Sequence, residues 1–86
     1  METVEEKLRN YIADNILFSN NGYPFQDEDS FLENGILDST NIVELVMFVE
    51  ENFGFSIEDQ KITPINFDSI SKLSRFICAE IDHRSN

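Results

Sequence analysis

Between Asp38 and Gly54 the chain spells out one helix from cap to stop. Asp38 is a strong N-cap residue whose carboxylate can accept from the first unpaired amides, and Gly54 ends the run. Ile42, Leu45, Val46, Val49 and Phe53 recur at three- and four-residue spacing, so one stripe of the helix is core. The spacing predicts a helix from Ser39 to about Asn52. Ser39 falls in its opening turn, off the apolar stripe, and is expected to face water.

The rest of the chain must cover that stripe. Thr3 with Glu6 has the spacing of a capping box, and Val4, Leu8, Tyr11, Ile12 and Ile16 mark a first helix to about Phe18. Asn20-Asn21-Gly22-Tyr23-Pro24 breaks it. The stretch from there to Leu37 is long for a structureless connection. Its apolar residues Tyr23, Phe25, Phe31, Leu32, Ile36 and Leu37 predict a loop pinned across the core. A short third helical turn is expected at Glu58 to Ile62, ended by Pro64. Asn66 then caps a last helix that faces Phe67, Ile70, Leu73, Ile77 and Ile81 inward. There is no strand alternation, repeat or linker. The expected fold is all-α: a small antiparallel four-helix bundle, three helices longer and one short, with a long loop between the first and second. It forms one domain over residues 1–86, with the polar end 82–86 expected to fray.

Eight Phe and 41% apolar residues argue for a folded core in spite of a net charge of −11. The placement of charge matters more than its sum, since no Lys or Arg occurs between Arg9 and Lys61. An acidic surface of this kind repels phosphate backbones and anionic lipid and attracts basic protein patches. Nucleic acid and membrane are therefore disfavoured as partners. Asp27, Glu28 and Asp29 read equally well as solubilising loop charge, whereas Glu44, just beyond Ser39, reads as a partner contact. No apolar run approaches the roughly 20 residues of a membrane span, and the acidic start Met1-Glu2-Thr3-Val4-Glu5-Glu6 is the reverse of a signal peptide. A cytoplasmic monomer is expected.

The run Asp38-Ser39, followed by Val43-Glu44-Leu45-Val46-Met47 and Glu50-Glu51, resembles the acyl carrier proteins. The likeness extends to Phe31-Leu32-Glu33-Asn34-Gly35 upstream, and to Phe53-Gly54, Ile62-Thr63-Pro64 and Asn66-Phe67-Asp68-Ser69-Ile70 downstream. The resemblance implies that Ser39 bears 4′-phosphopantetheine, attached from coenzyme A by a phosphopantetheinyl transferase, and that the chain carries thioester-bound intermediates and is not itself an enzyme. A phosphodiester there would lie at the positive end of the helix, favourable by about 0.3–1 kcal/mol. Asp38 would orient the site and meet the transferase. Thr40, Val43, Glu44, Met47 and Ile62 would form the recognition face toward loading and condensing enzymes with basic docking patches. Thr40 and Asn41 stand where the carriers of fatty-acid synthesis usually have Leu-Asp, which resembles free-standing carriers of specialised pathways. The resemblance implies an acyl cargo, as in fatty-acid or polyketide synthesis, with an aminoacyl or peptidyl unit as the alternative that the sequence does not separate from it. An acidic helical adaptor with no prosthetic group is the alternative from a different class.

Val43 and Met47 are odd apolar residues for an exposed face. They either line a docking patch or the mouth of an acyl cleft, or pack under the loop or the short third helix. Other constellations carry no chemistry. A calcium loop counted from Asp27 would put Phe31 at the fifth position and Leu32 where glycine is needed, and the sole histidine, His83, sits in the polar tail, far from a triad. Cys78, beside the core position Ile77, is expected to be a packed or partly buried thiol. The Phe stripe of Phe48, Phe53, Phe55, Phe67 and Phe76 reads as core, and Lys72 and Arg75 as solvent-facing charges.

Overall fold

Among the described residues four α-helices form: α1 (Val4–Asn15), α2 (Ser39–Phe53), α3 (Pro64–Phe67) and α4 (Ile70–Arg84), with a 3₁₀ turn at Asp59–Lys61. The computed structural model describes residues 3–84, the side chains of Ser39, His83 and Arg84 excepted. No strand occurs among the described residues, and the element order is that of a small helical bundle. In it α4 packs against α1, α2 and α3. Residues 82–84, in the tail expected to fray, continue α4, and 85–86 lie outside the described residues.

The caps explain two of the helices directly. Thr3 Oγ1 accepts from the Glu6 amide at 3.1 Å and starts α1. Gly54 closes α2 at φ 74°, where its missing Cβ removes the strain of a left-handed turn. The Glu50 carboxylate then accepts from the Ile57 amide at 2.7 Å and folds the chain back, burying Phe55 and Ile57.

Three boundaries differ from those read in the sequence. α1 ends at Asn15, because the Leu17 amide turns back to the Ile12 carbonyl and Phe18 takes φ 51°, which swings its ring into solvent at 79% exposure. Pro64 begins a helix instead of only ending one, since the first helical position needs no amide donor and suits proline's fixed φ. Asn66 does not cap the last helix: its amide group donates to the Lys61 carbonyl. The break falls at Asp68, and Ser69 Oγ accepts from the Lys72 amide to start α4. Cys78 is exposed, not packed, because one step along a helix rotates about 100° away from Ile77.

The core joins Leu8 and Ile12 of α1, Leu45 and Val49 of α2, Phe67 of α3 and Ile70, Leu73 and Ile77 of α4. At about 1.5–3 kcal/mol for each such side chain, this burial is the main stabilising term. The Phe stripe packs as expected. Phe55 and Phe67 are buried, Phe76 meets both rings, and Phe48 stacks on Tyr11 with centroids 4.0 Å apart. Phe31, Ile36 and Leu37 of the long loop enter the same cluster, but Leu32 does not, being 60% exposed.

The loop is held down by polar ties. Arg9 Nη1 donates to both carboxylate oxygens of Asp27, at 2.7 and 2.8 Å, and the pairing raises the Arg9 pKa above its usual value. The Ser71 amide donates to the Asp27 carbonyl. Asp27 is therefore a structural anchor as well as a surface charge. Nearby, the Tyr23 hydroxyl is the one buried side-chain N or O atom, among the described residues, without a hydrogen-bond partner. Burial first, and then Asp29 and Asp27, push its pKa up to about 12. An unfolded tyrosine ionises near 10, so the folded state keeps its proton longer, and stability is lost as pH rises from about 10 to about 12. Tyr23→Phe is expected to flatten that alkaline fall while leaving stability at pH 7 equal or higher, because an unpaired hydroxyl is removed. Urea midpoints at pH 7 and pH 11 for the two proteins check this.

Candidate functional site

The start of α2 is built from the loop upward. Ile36 and Leu37 are buried, and Gly35 precedes them at φ 66°. With those two side chains fixed, Asp38 is delivered to the surface in extended backbone at φ −123° and ψ −173°. Its Oδ1 accepts from the amides of both Thr40 and Asn41 at 2.9 Å. The cap expected from sequence is there, and it has a consequence: two of the amides that an anion at this helix end would meet are already taken. What remains for an anion is the dipole of the helix and the approach to its first turn. Ser39 opens α2 in this turn, while its side chain lies outside the described residues.

Asp38→Ala leaves those two amides without their acceptor. It is expected to lower stability by about 1 kcal/mol, with Asp38→Asn losing less because its amide oxygen still accepts. Urea titration reads both variants, and an unchanged midpoint in Asp38→Ala would show the cap to be dispensable.

A cleft of about 270 Å³ opens beside Asp38. One wall is the loop with the first turn of α2, contributing Phe31, Leu32, Leu37 and Ile42; the other is Ile62, Thr63, Pro64 and Phe67, with Asp68 at the junction. Apart from Asp38, Thr63 and Asp68 the lining is apolar. Ile62, read as part of an outward recognition face, is half-buried in this cleft.

The outer face of α2 carries the other expected residues. Thr40 and Glu44 are exposed, and Val43 and Met47 are exposed by 57% and 55%. Neither Val43 nor Met47 is packed under the loop or α3, and neither borders the cleft. Met47 instead borders a shallow groove with Tyr11, Glu44, Phe48 and Glu51. The Tyr11 hydroxyl donates to the Glu44 carbonyl at 3.3 Å, and its pKa is raised by burial and by the nearby Glu44 and Glu51. α2 holds no Lys or Arg of its own. Lys61 is engaged elsewhere, at 2.9 Å from Glu80.

Sequence reasoning missed Asp68, which ties the loop to the junction of α3 and α4. Its carbonyl accepts from the Phe31 amide at 2.7 Å, Oδ1 from the Leu32 amide at 3.0 Å, and Oδ2 from the Ser30 hydroxyl. Its partners lie nearly forty positions away, so no local spacing could have pointed to it. Among the described residues no three of His, Cys, Asp and Glu group so as to hold a metal ion, and no helix is long and apolar enough to cross a membrane. His83, the sole candidate base for serine chemistry, has its side chain outside the described residues.

No protein-family model matches the chain. Individual proteins do. The acyl carrier proteins of Nitratidesulfovibrio vulgaris strains DP4 and Hildenborough are each 37% identical to it over 75 residues, spanning 84% of this chain and 95% of theirs. With likeness of that level over nearly the whole of those relatives, and an all-helical bundle in which a capped second helix begins beside an apolar cleft, the chain belongs to the acyl carrier protein family.

Proposed function

We propose that Ser39 carries 4′-phosphopantetheine, attached from coenzyme A by a phosphopantetheinyl transferase, and that the cleft beside Asp38 receives the apolar part of an acyl cargo. The observation that carries this reading is the opening of that cleft next to the capped first turn of α2. When bound, the group supplies a thiol that holds cargo as a thioester. The residues of the chain do the rest. Asp38 fixes the first turn, so Ser39 is presented on a rigid element and not on a moving loop. Leu37, Ile42, Ile62 and Phe67 offer an apolar surface from which water is readily displaced. Thr40, Val43, Glu44 and Met47 offer a face with apolar contacts beside negative charge, suited to the basic docking patches of a transferase and of loading and condensing enzymes in the cytoplasm. Thr40 and Asn41 in place of an apolar and an acidic residue point to the partners of a specialised pathway.

The apolar lining suits an acyl chain better than a charged aminoacyl unit. Intact mass after incubation with coenzyme A and a broad-specificity transferase tests the reading: a gain of one phosphopantetheine is expected. Absence of a gain overturns it in favour of an acidic adaptor. Acceptance of an aminoacyl unit from an adenylating enzyme, with refusal of acyl units, would reverse the assignment of cargo alone.

A further inference from the structure

We infer that Asp68 is the positioning residue that sets how far the cleft opens to an apolar chain, a role that rests on the reading of the cleft as the acyl pocket. The two walls of the cleft belong to segments far apart in sequence, and Asp68 is bonded to both. On the α3 side its amide donates to the Pro64 carbonyl at 3.1 Å and closes that short helix. On the loop side it receives the Phe31 and Leu32 amides and the Ser30 hydroxyl. Asp68 itself lines the cleft at the seam. One residue thus clasps the two sides together.

The wall held this way is a unit. Ser30 Oγ accepts from the Glu33 amide, the Ser30 carbonyl from the Asn34 amide, and the Phe31 carbonyl from the Ile36 amide at 2.8 Å. Residues 30–36 are bonded to one another and reach α3 through Asp68. Loss of the side-chain bonds loosens this unit at its Ser30–Leu32 end, while the burial of Phe31, Ile36 and Leu37 and the Phe31 amide bond to the Asp68 carbonyl keep it on the bundle, so that it opens and recloses more often. A chain of about nine carbons fills 270 Å³ if each carbon takes the roughly 30 Å³ of a water molecule. Longer or bulkier chains require the wall to move, and Asp68 resists that movement. Arg9 with Asp27, and Ser71 with the Asp27 carbonyl, tie the loop only upstream of the cleft, so they do not substitute for it.

Asp68→Ala, with Asp68→Asn as the conservative partner, tests the role by two readouts. Amide exchange is followed at Phe31 and Ile36, whose own acceptors are backbone carbonyls that the substitution leaves in place. Two lost hydrogen bonds of ordinary strength correspond to a roughly 5–30-fold faster exchange there, with Leu45 and Ile77 unchanged as a check on the fold. Asparagine, which can still accept from Leu32 and donate to Ser30, restores slow exchange. In the second readout the protein is loaded with an acetyl or an octanoyl thioester and treated with hydroxylamine, which attacks the thioester carbonyl to give a hydroxamate and free thiol. Cleavage of the octanoyl form is expected to quicken in Asp68→Ala and recover in Asp68→Asn, while the acetyl form cleaves alike in all three. Unchanged exchange at Phe31 and Ile36, or an equal effect on both thioesters, overturns the inference. A protein that never gains phosphopantetheine fails before the thioester step, which overturns the carrier reading instead.

Discussion

Ser39→Ala is expected to abolish the mass gain on incubation with coenzyme A and transferase, while the far-ultraviolet spectrum and the urea midpoint stay those of the unaltered protein. The two halves of this outcome have separate causes. Attachment needs a hydroxyl oxygen to form the phosphodiester, and alanine has none, so loss is complete rather than partial. Stability is spared because the first turn of α2 is capped by Asp38, whose Oδ1 serves the Thr40 and Asn41 amides, and because alanine is the best helix former at the position it would occupy. The contrast with Asp38→Ala is the useful one, since that variant loses stability and keeps the hydroxyl. If Ser39→Ala still gained mass, attachment would lie elsewhere; Ser56, exposed after α2, is one serine the same mass measurement on fragments would expose. If it lost both mass gain and fold, Ser39 would have a structural part that the Asp38 cap does not account for.

What was legible in the sequence is what depends on neighbours a few residues apart. The Asp38 cap, the Gly54 stop and the buried positions Leu45 and Val49 all follow from local spacing. The same holds for Ser39 as the opening residue of α2. Reading failed where a residue type has two uses. Proline ends one helix and begins another with equal ease, and at Pro64 the second use prevailed; Asn66 could cap, but Ser69 does. At Cys78 the local rule was there to use and was misapplied, since a neighbour of a core position on a helix is turned toward solvent. A cleft was expected, with Val43 and Met47 as one option for its mouth, but the residues that line it could not be read. Its walls meet through Asp68 and Ser30, whose pairing depends on how the loop crosses the bundle. Val43 and Met47 were undecided for the same reason: only the placement of the loop and α3 shows that nothing covers them.

Phe31→Ala is expected to cost about 3–5 kcal/mol, well above the loss of a helix cap such as Asp38. Phe31 is 1% exposed and the largest of the fully buried side chains, set in a cluster with residues of all four helices. A domain of 86 residues has a total stability of roughly 4–13 kcal/mol, so the variant lies near the edge of folding. With a urea dependence of about 1 kcal/mol per molar for a protein this small, the midpoint falls by roughly 3 M or the transition is lost. The adjacent residue supplies the control. Leu32 is 60% exposed, lines the cleft from the loop side and is held through its backbone amide, which substitution does not alter. Leu32→Ala therefore changes stability by no more than about 0.5 kcal/mol. Two apolar neighbours of the same loop then differ several-fold in their effect, and the reason is the latch at Asp68, which fixes the backbone so that one side chain points into the core and the other out of it. Equal losses at the two positions would mean that the loop lies on the bundle in some other register, and the cleft beside Asp38 would have to be redrawn with it.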